Sequence, residues 1–382
     1  MNIKQLKSLS EISSNQWNRL LDSEYPFLRY EFLATLESSG SASEKSGWSP
    51  RHCLVFDKQG DEEMLIAAMP LYEKSHSYGE YVFDHDWANA YQQHGLNYFP
   101  KWITAIPFTP CEGYRLLVKE GIDRTVIYRK VIDFLKNKAD KENISSWHCL
   151  FPPKQEIKSL KNEEGLIIRE GVQFRWTNQG YSNFEDYLST FNAKKRKNVR
   201  RERRWVTDQN IELINVAGSA ITEEQWQAFY LFYKMTYLKR GMHPYLDLSF
   251  FHQLAQTMPD QLLLIMAVKD KTYVGAALSL IGGDTLYGRY WGCLDEYHSL
   301  HFEACYYQGL EYCIENKLQR FDSGAQGEHK ISRGFEPVTT YSAHWIKDPQ
   351  FAAAIDRYVK QEAQAMAAYK NNAAKLLPFK KL

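Results

Sequence analysis

At 382 residues the chain is long enough for two domains of roughly 150 to 200 residues and too long for one ordinary core. Its 47 Lys plus Arg offset 46 Asp plus Glu, so a net charge of +1 excludes a global pull toward nucleic acid or anionic membrane, and any polyanion site must be local. No stretch approaches the ~20 apolar residues of a membrane span, and the start, MNIKQLKSLSEISSNQW, lacks the apolar run of a secretory signal, so a cytoplasmic protein is expected.

In chain order, residues 51–74 (RHCLVFDKQGDEEMLIAAMPLYEK) alternate an apolar run, a polar turn carrying Gly60, and a second apolar run, the pattern of a β-hairpin. Residues 79–117 are rich in aromatics and poor in helix signals, and PFTPCEGYR sets two prolines around Thr109, which forces a rigid extended turn. This stretch reads as the wall of a substrate cleft, with Asp84, Asp86, Trp87, His94 and Thr109 as candidates; Asp84 and His85 lack the further ligands a metal shell needs. Ile127, Val131, Phe134 and Leu135 then share a helical face ahead of the strand-like SSWHCLF.

Ser182 with Glu185, and Thr222 with Gln225, have capping-box spacing and predict helix starts. Between them, residues 194–204 (KKRKNVRRERR) carry eight cations against Glu202 alone; on a helix over 194–206, Lys197, Arg200, Arg201 and Arg204 share a face able to hold phosphates. The plain alternative is a solvated face, but same-face cations without i,i+4 acids repel one another, and an anionic partner would relieve that cost.

Residues 261–292 (QLLLIMAVKDKTYVGAALSLIGGDTLYGRYWG) repeat the hairpin and add a third strand. A helical pattern follows (Phe302, Cys305, Tyr306, Gly309, Leu310, Cys313, Ile314), and then a strand at LQRFDSG. Two copies of hairpin, helix and strand lie about 210 residues apart and suggest duplication. That order is the one of a GNAT core, and other α+β folds share it. The tail beyond Pro349 is Ala-rich, with Phe351, Ile355, Tyr358, Val359, Ala363 and Met366 at helical spacing, and predicts a terminal helix packing on the body. The organisation expected is a first domain over 1–180, a second over 181–348, and a C-terminal helix in 349–382.

The densest chemistry lies in GAQGEHKISRGFEPVTTYSAHW, where Gly324, Gly327 and Gly334 accompany Glu328, His329, Lys330 and Arg333. Glycines permit sharp turns and close ligand approach, and the charged residues suit a phosphate or carboxylate. The six cysteines show no CxxC pair and no zinc spacing, so they read as space-filling thiols, with no metal. GxxxxGK[ST], GxGxxG, GxSxG and HExxH are all absent, which removes the main support for phosphate-loop, dinucleotide, serine-hydrolase and zincin readings.

Taken together, YVFDHDWANAY, HGLNYFPKWITAIPFTPCEGYRLL, NAKKRKNVRRER, GRYWGC, LHFEACYYQGLEYCIE and GAQGEHKISRGFEPV resemble the FemAB-like family of N-acyltransferases, over roughly residues 26–345. The resemblance implies an α/β (α+β) protein of tandem GNAT-like domains, each a mixed central sheet flanked by helices. It also implies transfer of an acyl or aminoacyl group from acyl-CoA or aminoacyl-tRNA to an amine on a small molecule, peptide or peptidoglycan precursor. The RxxGxG/A pyrophosphate loop of acetyl-CoA users is missing between Gly292 and Phe302, which disfavours ordinary acetyl-CoA.

On chemical grounds, an amine attacking an ester or thioester needs a proton acceptor. The candidates are Glu328, His329, Glu303 and Asp295, in that order, with Tyr290 to protonate the leaving group. Lys197, Arg200, Arg201, Arg204, Lys330 and Arg333 are the donor- or phosphate-binding candidates. Trp291, Gly324, Gln326 and Gly327 complete the substrate cleft. A non-catalytic module that keeps the fold, or an RNA binder relying on the basic run, are the competing classes.

Overall fold

Each apolar–polar–apolar run folds as an antiparallel hairpin, and the two carry the same irregularity. His52–Gln59 pairs Glu62–Met69 with a bulge that leaves Ile66 as the extra residue; Leu262–Lys269 pairs Thr272–Gly282 with a bulge that leaves Val274 extra. In both, the extra residue sits on the returning strand near the turn. The second turn uses Asp270 and Lys271, both in the left-handed region. The tip of the first, including Gly60, lies outside the described residues: the computed structural model describes residues 1–59, 62–325 and 327–380.

The chain forms two compact units, Met1–Val172 with Thr339–Ala368, and Gln173–Val338 with Tyr369–Leu382. The C-terminal segment is thus shared: the helix Pro349–Ala374 begins in the first unit and its end belongs to the second.

In the first unit, Asn2–Leu6, the hairpin and Leu117–Val118 make an antiparallel sheet. A second group of strands is mixed. Ser146–Leu150 runs parallel to Lys101–Thr104 and antiparallel to residues 342–346, and Tyr72–Lys74 and Trp48–Pro50 extend the edge. The helix Arg124–Glu142 starts where the Asp123 side chain accepts from Thr125 N and ends at Asn143, which is left-handed. Its buried stripe of Ile127, Val131, Leu135 and Ala139 packs against Trp102, Trp147 and Met69; Phe134 is only partly buried beside it. On the C-terminal helix, Ile355 and Val359 are buried against Trp87, Tyr91 and Tyr98, whereas Tyr358, one position off that stripe, is exposed.

In the second unit the sheet order is Ile211–Ala217, Leu262–Lys269, Thr272–Gly282, Thr285–Cys293, Arg320–Asp322, then residues 175–177. The first four are antiparallel, and the pairing of Thr285–Cys293 with Arg320–Asp322 is parallel. This is the mixed, helix-flanked sheet the family resemblance implied. Thr222 and Gln225 form the expected capping box ahead of the helix Glu223–Leu238. Before Phe184–Ser189 the cap differs: Asn183 accepts from Asp186 N, and Ser182 instead donates through its own N and Oγ to Asp186. Asn183, one position nearer the helix, takes the N-cap. Among the described residues no helix is long and apolar enough to cross a membrane. All six cysteines are free, four of them buried.

Candidate functional site

Thr285–Cys293 and Arg320–Asp322 stay together for only three pairs, Thr285 with Arg320, Leu286 with Phe321 and Tyr287 with Asp322. Beyond them the chain turns away through Ser323 and Gly324 (φ +93°), while the longer strand continues to Cys293. The same strand carries a bulge. Leu278 faces Tyr290 while Ser279 faces Gly288, so Arg289 is the extra residue and the alternation of faces is broken there. A cavity of about 130 Å³ opens at this parting of the strands. Its lining includes Ser279, Arg289, Ser323, Trp291, His301 and Tyr306.

Tyr306 and Cys305 reach the cavity from a π-turn, Glu303–Tyr307, inside the helical run 300–315. Single π-turns are frequent at functional sites because the widened ring re-aims side chains by a fraction of a turn. The Tyr306 hydroxyl lies 2.8 Å from His329 Nε2. The rings of His301, Phe302 and Tyr306 cover one side of His329, at 5.5–5.8 Å between centroids. That partial burial, with Arg333 and Lys330 beside it, pushes His329 down to about 4, and burial with His329 does the same for His301. Both imidazoles are therefore neutral near pH 7.

Beneath the cavity lining, Asp322 receives Arg289 at 2.9 Å and Arg175 at 3.5 Å. Burial alone would raise the Asp322 carboxyl; the two guanidiniums more than offset it and hold it below the usual range. Lys330 is buried and donates to Gly324 O at 2.7 Å; its desolvation, with Arg289 nearby and Asp322 opposing, brings it down to about 8.

The basic helix is Ala193–Asp208, capped by Asn192 accepting from Lys195 N. Its outer face exposes Lys194, Lys197, Arg200, Arg201 and Arg204, with Arg200 paired to Glu185. Its inner face does something the charge pattern did not reveal. Arg203 binds Glu303 of the π-turn and Glu311 with both arms of its guanidinium, at 2.7–3.2 Å. Glu202 accepts from Arg333 at 2.7 Å and from the Tyr307 hydroxyl. The helix thus clamps the π-turn and the Gly-rich segment that flank the cavity.

The structure brings Tyr290, Trp291, His329, Lys330 and Gly324 to or beside the cavity. Gly327, at φ +114°, opens the short helix Glu328–Arg333, and a Cβ there would lie 2.4 Å from the His329 ring. Glu328 points elsewhere and accepts from the Tyr369 hydroxyl at 2.8 Å. Glu303 is buried and engaged by Arg203, Asp295 is exposed on the turn after Cys293, and Arg333 is buried against Glu202 and the Phe302 ring. Gln326 lies outside the described residues. Asp84, Asp86, Trp87, His94 and Thr109 belong to the first unit. There Asp86 and His94 are exposed, Trp87 packs on His344, and Thr109 is buried with its hydroxyl donating to Pro107 O. Asp84 sits in a buried network with Lys101 and Tyr98. Sequence reasoning missed Arg289, Asp322, Ser323, Tyr306, Arg203 and Glu202. Among the described residues no group of three or more His, Cys, Asp or Glu gathers as a metal ion requires.

A repeated hairpin–helix–strand core, with a cavity where two parallel strands part, defines a tandem GNAT-like protein. The FemAB-like family model, described as peptidoglycan biosynthesis/recognition, matches residues 8–381, and the chain belongs to that family. No curated protein matches the sequence. Solved structures share the fold at low identity. One is FemX, 12% identical with TM-score 0.51, covering 91% of this chain and 97% of FemX. Another is a conserved protein of unknown function from Bacteroides thetaiotaomicron, 12% identical with TM-score 0.52, covering 90% and 100%. A third is the C-terminal domain of a putative lysylphosphatidylglycerol synthetase from Agrobacterium fabrum, 9% identical with TM-score 0.54, covering 92% and 97%.

Proposed function

We propose that the protein is an N-acyltransferase that moves an acyl or aminoacyl group from acyl-CoA or aminoacyl-tRNA to an amine on a small molecule, peptide or peptidoglycan precursor, in the cavity of the second unit. The observation that carries this reading is the cavity itself: in a FemAB-like chain, a small space at the parting of two strands is lined by Arg289 and by Tyr306, whose hydroxyl is bonded to a neutral His329. The amine nitrogen attacks the carbonyl carbon, the C–N bond forms, and the C–O or C–S bond of the donor breaks. The proton lost by the amine ends on the departing alkoxide or thiolate. Tyr306, backed by His329, relays that proton, and Tyr290 on the adjacent strand delivers it to the leaving group. Arg289, with Lys330 behind it, offsets the negative charge that grows on the carbonyl oxygen.

This reading passes the amine's proton to Tyr306, backed by His329, and not to Glu303 or Glu328, whose carboxylates are held by Arg203 and Tyr369. Lys197, Arg200, Arg201 and Arg204 on the outer face of the basic helix suit the phosphates of either donor. That same face also suits a non-catalytic RNA binder, which would hold tRNA regardless of its aminoacyl group and transfer nothing.

The test is transfer of labelled aminoacyl-tRNA or acyl-CoA to a panel of amines, including a peptidoglycan precursor. Stoichiometric labelling of an amine is expected, with Tyr306→Phe lowering turnover about a hundredfold while donor binding persists. Donor binding without any labelled product would hand the cavity to the non-catalytic reading.

A further inference from the structure

Glu202 is the single acid among the eight cations of the basic run, and its partner gives it a place in the chemistry of the cavity. His329 lies on a helical turn of six residues, Glu328–Arg333, which opens at Gly327, with no side chain to cap it, and closes at Gly334 (φ +85°). So short a segment does not hold an imidazole in one orientation by itself. Arg333, at its far end, supplies the hold. One arm of its guanidinium donates to His329 O at 2.7 Å and the other to Glu202 Oε2 at 2.7 Å. The guanidinium carbon lies 3.5 Å from the centroid of the Phe302 ring, and Phe302 packs on the His329 ring at 5.6 Å. The main chain is fixed as well. The Tyr187 hydroxyl donates to Arg333 O at 2.7 Å, and Gly334 leaves it room, since a Cβ there would lie 2.0 Å from that hydroxyl. Glu202 is steadied in turn by the Tyr307 hydroxyl, which donates to it.

We propose that Arg333, held by Glu202, is a positioning residue: it fixes the His329 imidazole as the hydrogen-bond acceptor of the Tyr306 hydroxyl. Its importance for turnover rests on the transferase reading; the placement of His329 does not. Tyr306 can take a proton on its oxygen only as its own passes to Nε2 of His329, so that nitrogen must be bare and within reach. A cation beside the ring disfavours a proton resting there, so the imidazole hands it on instead of keeping it. The groups that face His329 are Lys330 and Arg333 on its own segment, and His301 and Tyr306 on the helical run 300–315. Glu328 beside it is engaged by Tyr369, and Glu303 by Arg203. Arg333 is the cation among them that also bonds the His329 main chain. A buried guanidinium is stable there only with a carboxylate, and Glu202 provides one while offsetting part of the charge presented to the ring.

NMR titration of the imidazole carbons in the full-length protein, with His329→Gln to assign the signal, reads the ring directly and needs no substrate. Arg333→Met should raise the His329 midpoint by about one unit, the effect of removing a like charge at this range. Glu202→Gln keeps both hydrogen bonds but removes the charge that opposes Arg333, so it should leave the midpoint in place or lower it. Arg333→Lys keeps the charge without the two-armed bridge, and should hold the midpoint near that of the unaltered protein. Simple loosening of the segment would instead move all three variants upward together. A rise in Glu202→Gln or Arg333→Lys as large as in Arg333→Met therefore overturns the proposal, as does a folded Arg333→Met with His329 unmoved. Should Arg333→Met fail to fold, the other two variants still decide between these outcomes. In a transfer assay Arg333→Met should lower kcat at least about tenfold with KM little changed, because Arg333 does not line the cavity. Undiminished kcat in Arg333→Met overturns the positioning role. A protein that transfers nothing removes the transferase reading, and the NMR result then decides the placement of His329 alone.

Discussion

Each unit buries a cluster of charge, and the two are placed differently. In the first unit Lys101 is fully buried and all its donors are used, on Ser77, Glu80 and Asp84. Tyr98 donates to Asp84 at 2.6 Å, and the network runs on to His148, which sits 2.6 Å from His344, and to Ser342. Lys74 and Lys101 there face Glu80 and Asp84, two cations for two carboxylates, and Arg169 nearby is held by Glu362. In the second unit Arg289 and Arg175 both pair with Asp322, beside a cavity. The first cluster is enclosed while the second stands at an opening, so access to a cavity separates two features that burial alone makes look alike.

The strongest way to break that contrast is to unbalance the first cluster. Lys101→Met should leave Glu80 and Asp84 buried without their cation and cost about 3–5 kcal/mol, read as a lowered denaturation midpoint. If stability is unchanged, the first cluster is no more structural than the second.

A smaller loss is expected from Arg203→Ala. It would free Glu303, which is buried, and Glu311 from a doubly forked pair, and should cost roughly 1–3 kcal/mol. Because Glu303 begins the π-turn that carries Tyr306, the same variant should also weaken ligand binding in the cavity. Unaltered binding at reduced stability would limit Arg203 to architecture.

Acid should act on both units, since His301 and His329 are lowered like the histidines of the first. Burial, then Lys101, brings His148 down to about 3, and burial with His148 lowers His344 as well. Groups with depressed values bind fewer protons folded than unfolded, so their stabilisation is complete above pH 6.5 and is lost as pH falls toward about 3. Glu80, raised to about 7 by burial, works the other way between its ordinary value of 4.5 and 7, one group against two. Stability should therefore decline below about pH 6.5. The double variant His148→Gln, His344→Gln should make that decline shallower, leaving the share of His301 and His329; an equally steep one would place the acid sensitivity elsewhere.

What the sequence exposed and what it hid follow from the range of the interactions. The hairpins, the helix Arg124–Glu142 and the Thr222–Gln225 cap depend on neighbours within a few residues, and period and capping chemistry reveal them. The Gly-rich segment drew notice by composition and does flank the cavity, through His329 and Lys330. Arg289 stayed hidden because a single extra residue in a strand leaves no mark on composition while reversing which side chains face the cavity. Tyr306 looked like one more core aromatic, since a π-turn cannot be told from α-helix by spacing. Glu303 and Glu328 were attractive as bases by type alone; the partners that engage them, Arg203 and Tyr369, lie 100 and 41 residues away in the chain.

The basic run shows the same limit at its sharpest, and it yields the smallest prediction. Arg203 and Arg204 are adjacent and chemically identical, yet one is locked to two carboxylates and the other is exposed. Arg204→Ala should change stability by less than about 0.5 kcal/mol, as exposed substitutions usually do. If the outer face holds tRNA, the substitution should instead lower the salt dependence of tRNA affinity by the share of one phosphate contact, about 0.7 to 0.9 in the log–log slope. The comparison is between neighbours on one helix, so a changed slope cannot be blamed on altered folding. An unchanged slope for Arg204→Ala, Arg201→Ala and Lys197→Ala alike would leave the outer face as a solvated surface, and the helix would then serve the cavity only through Glu202 and Arg203.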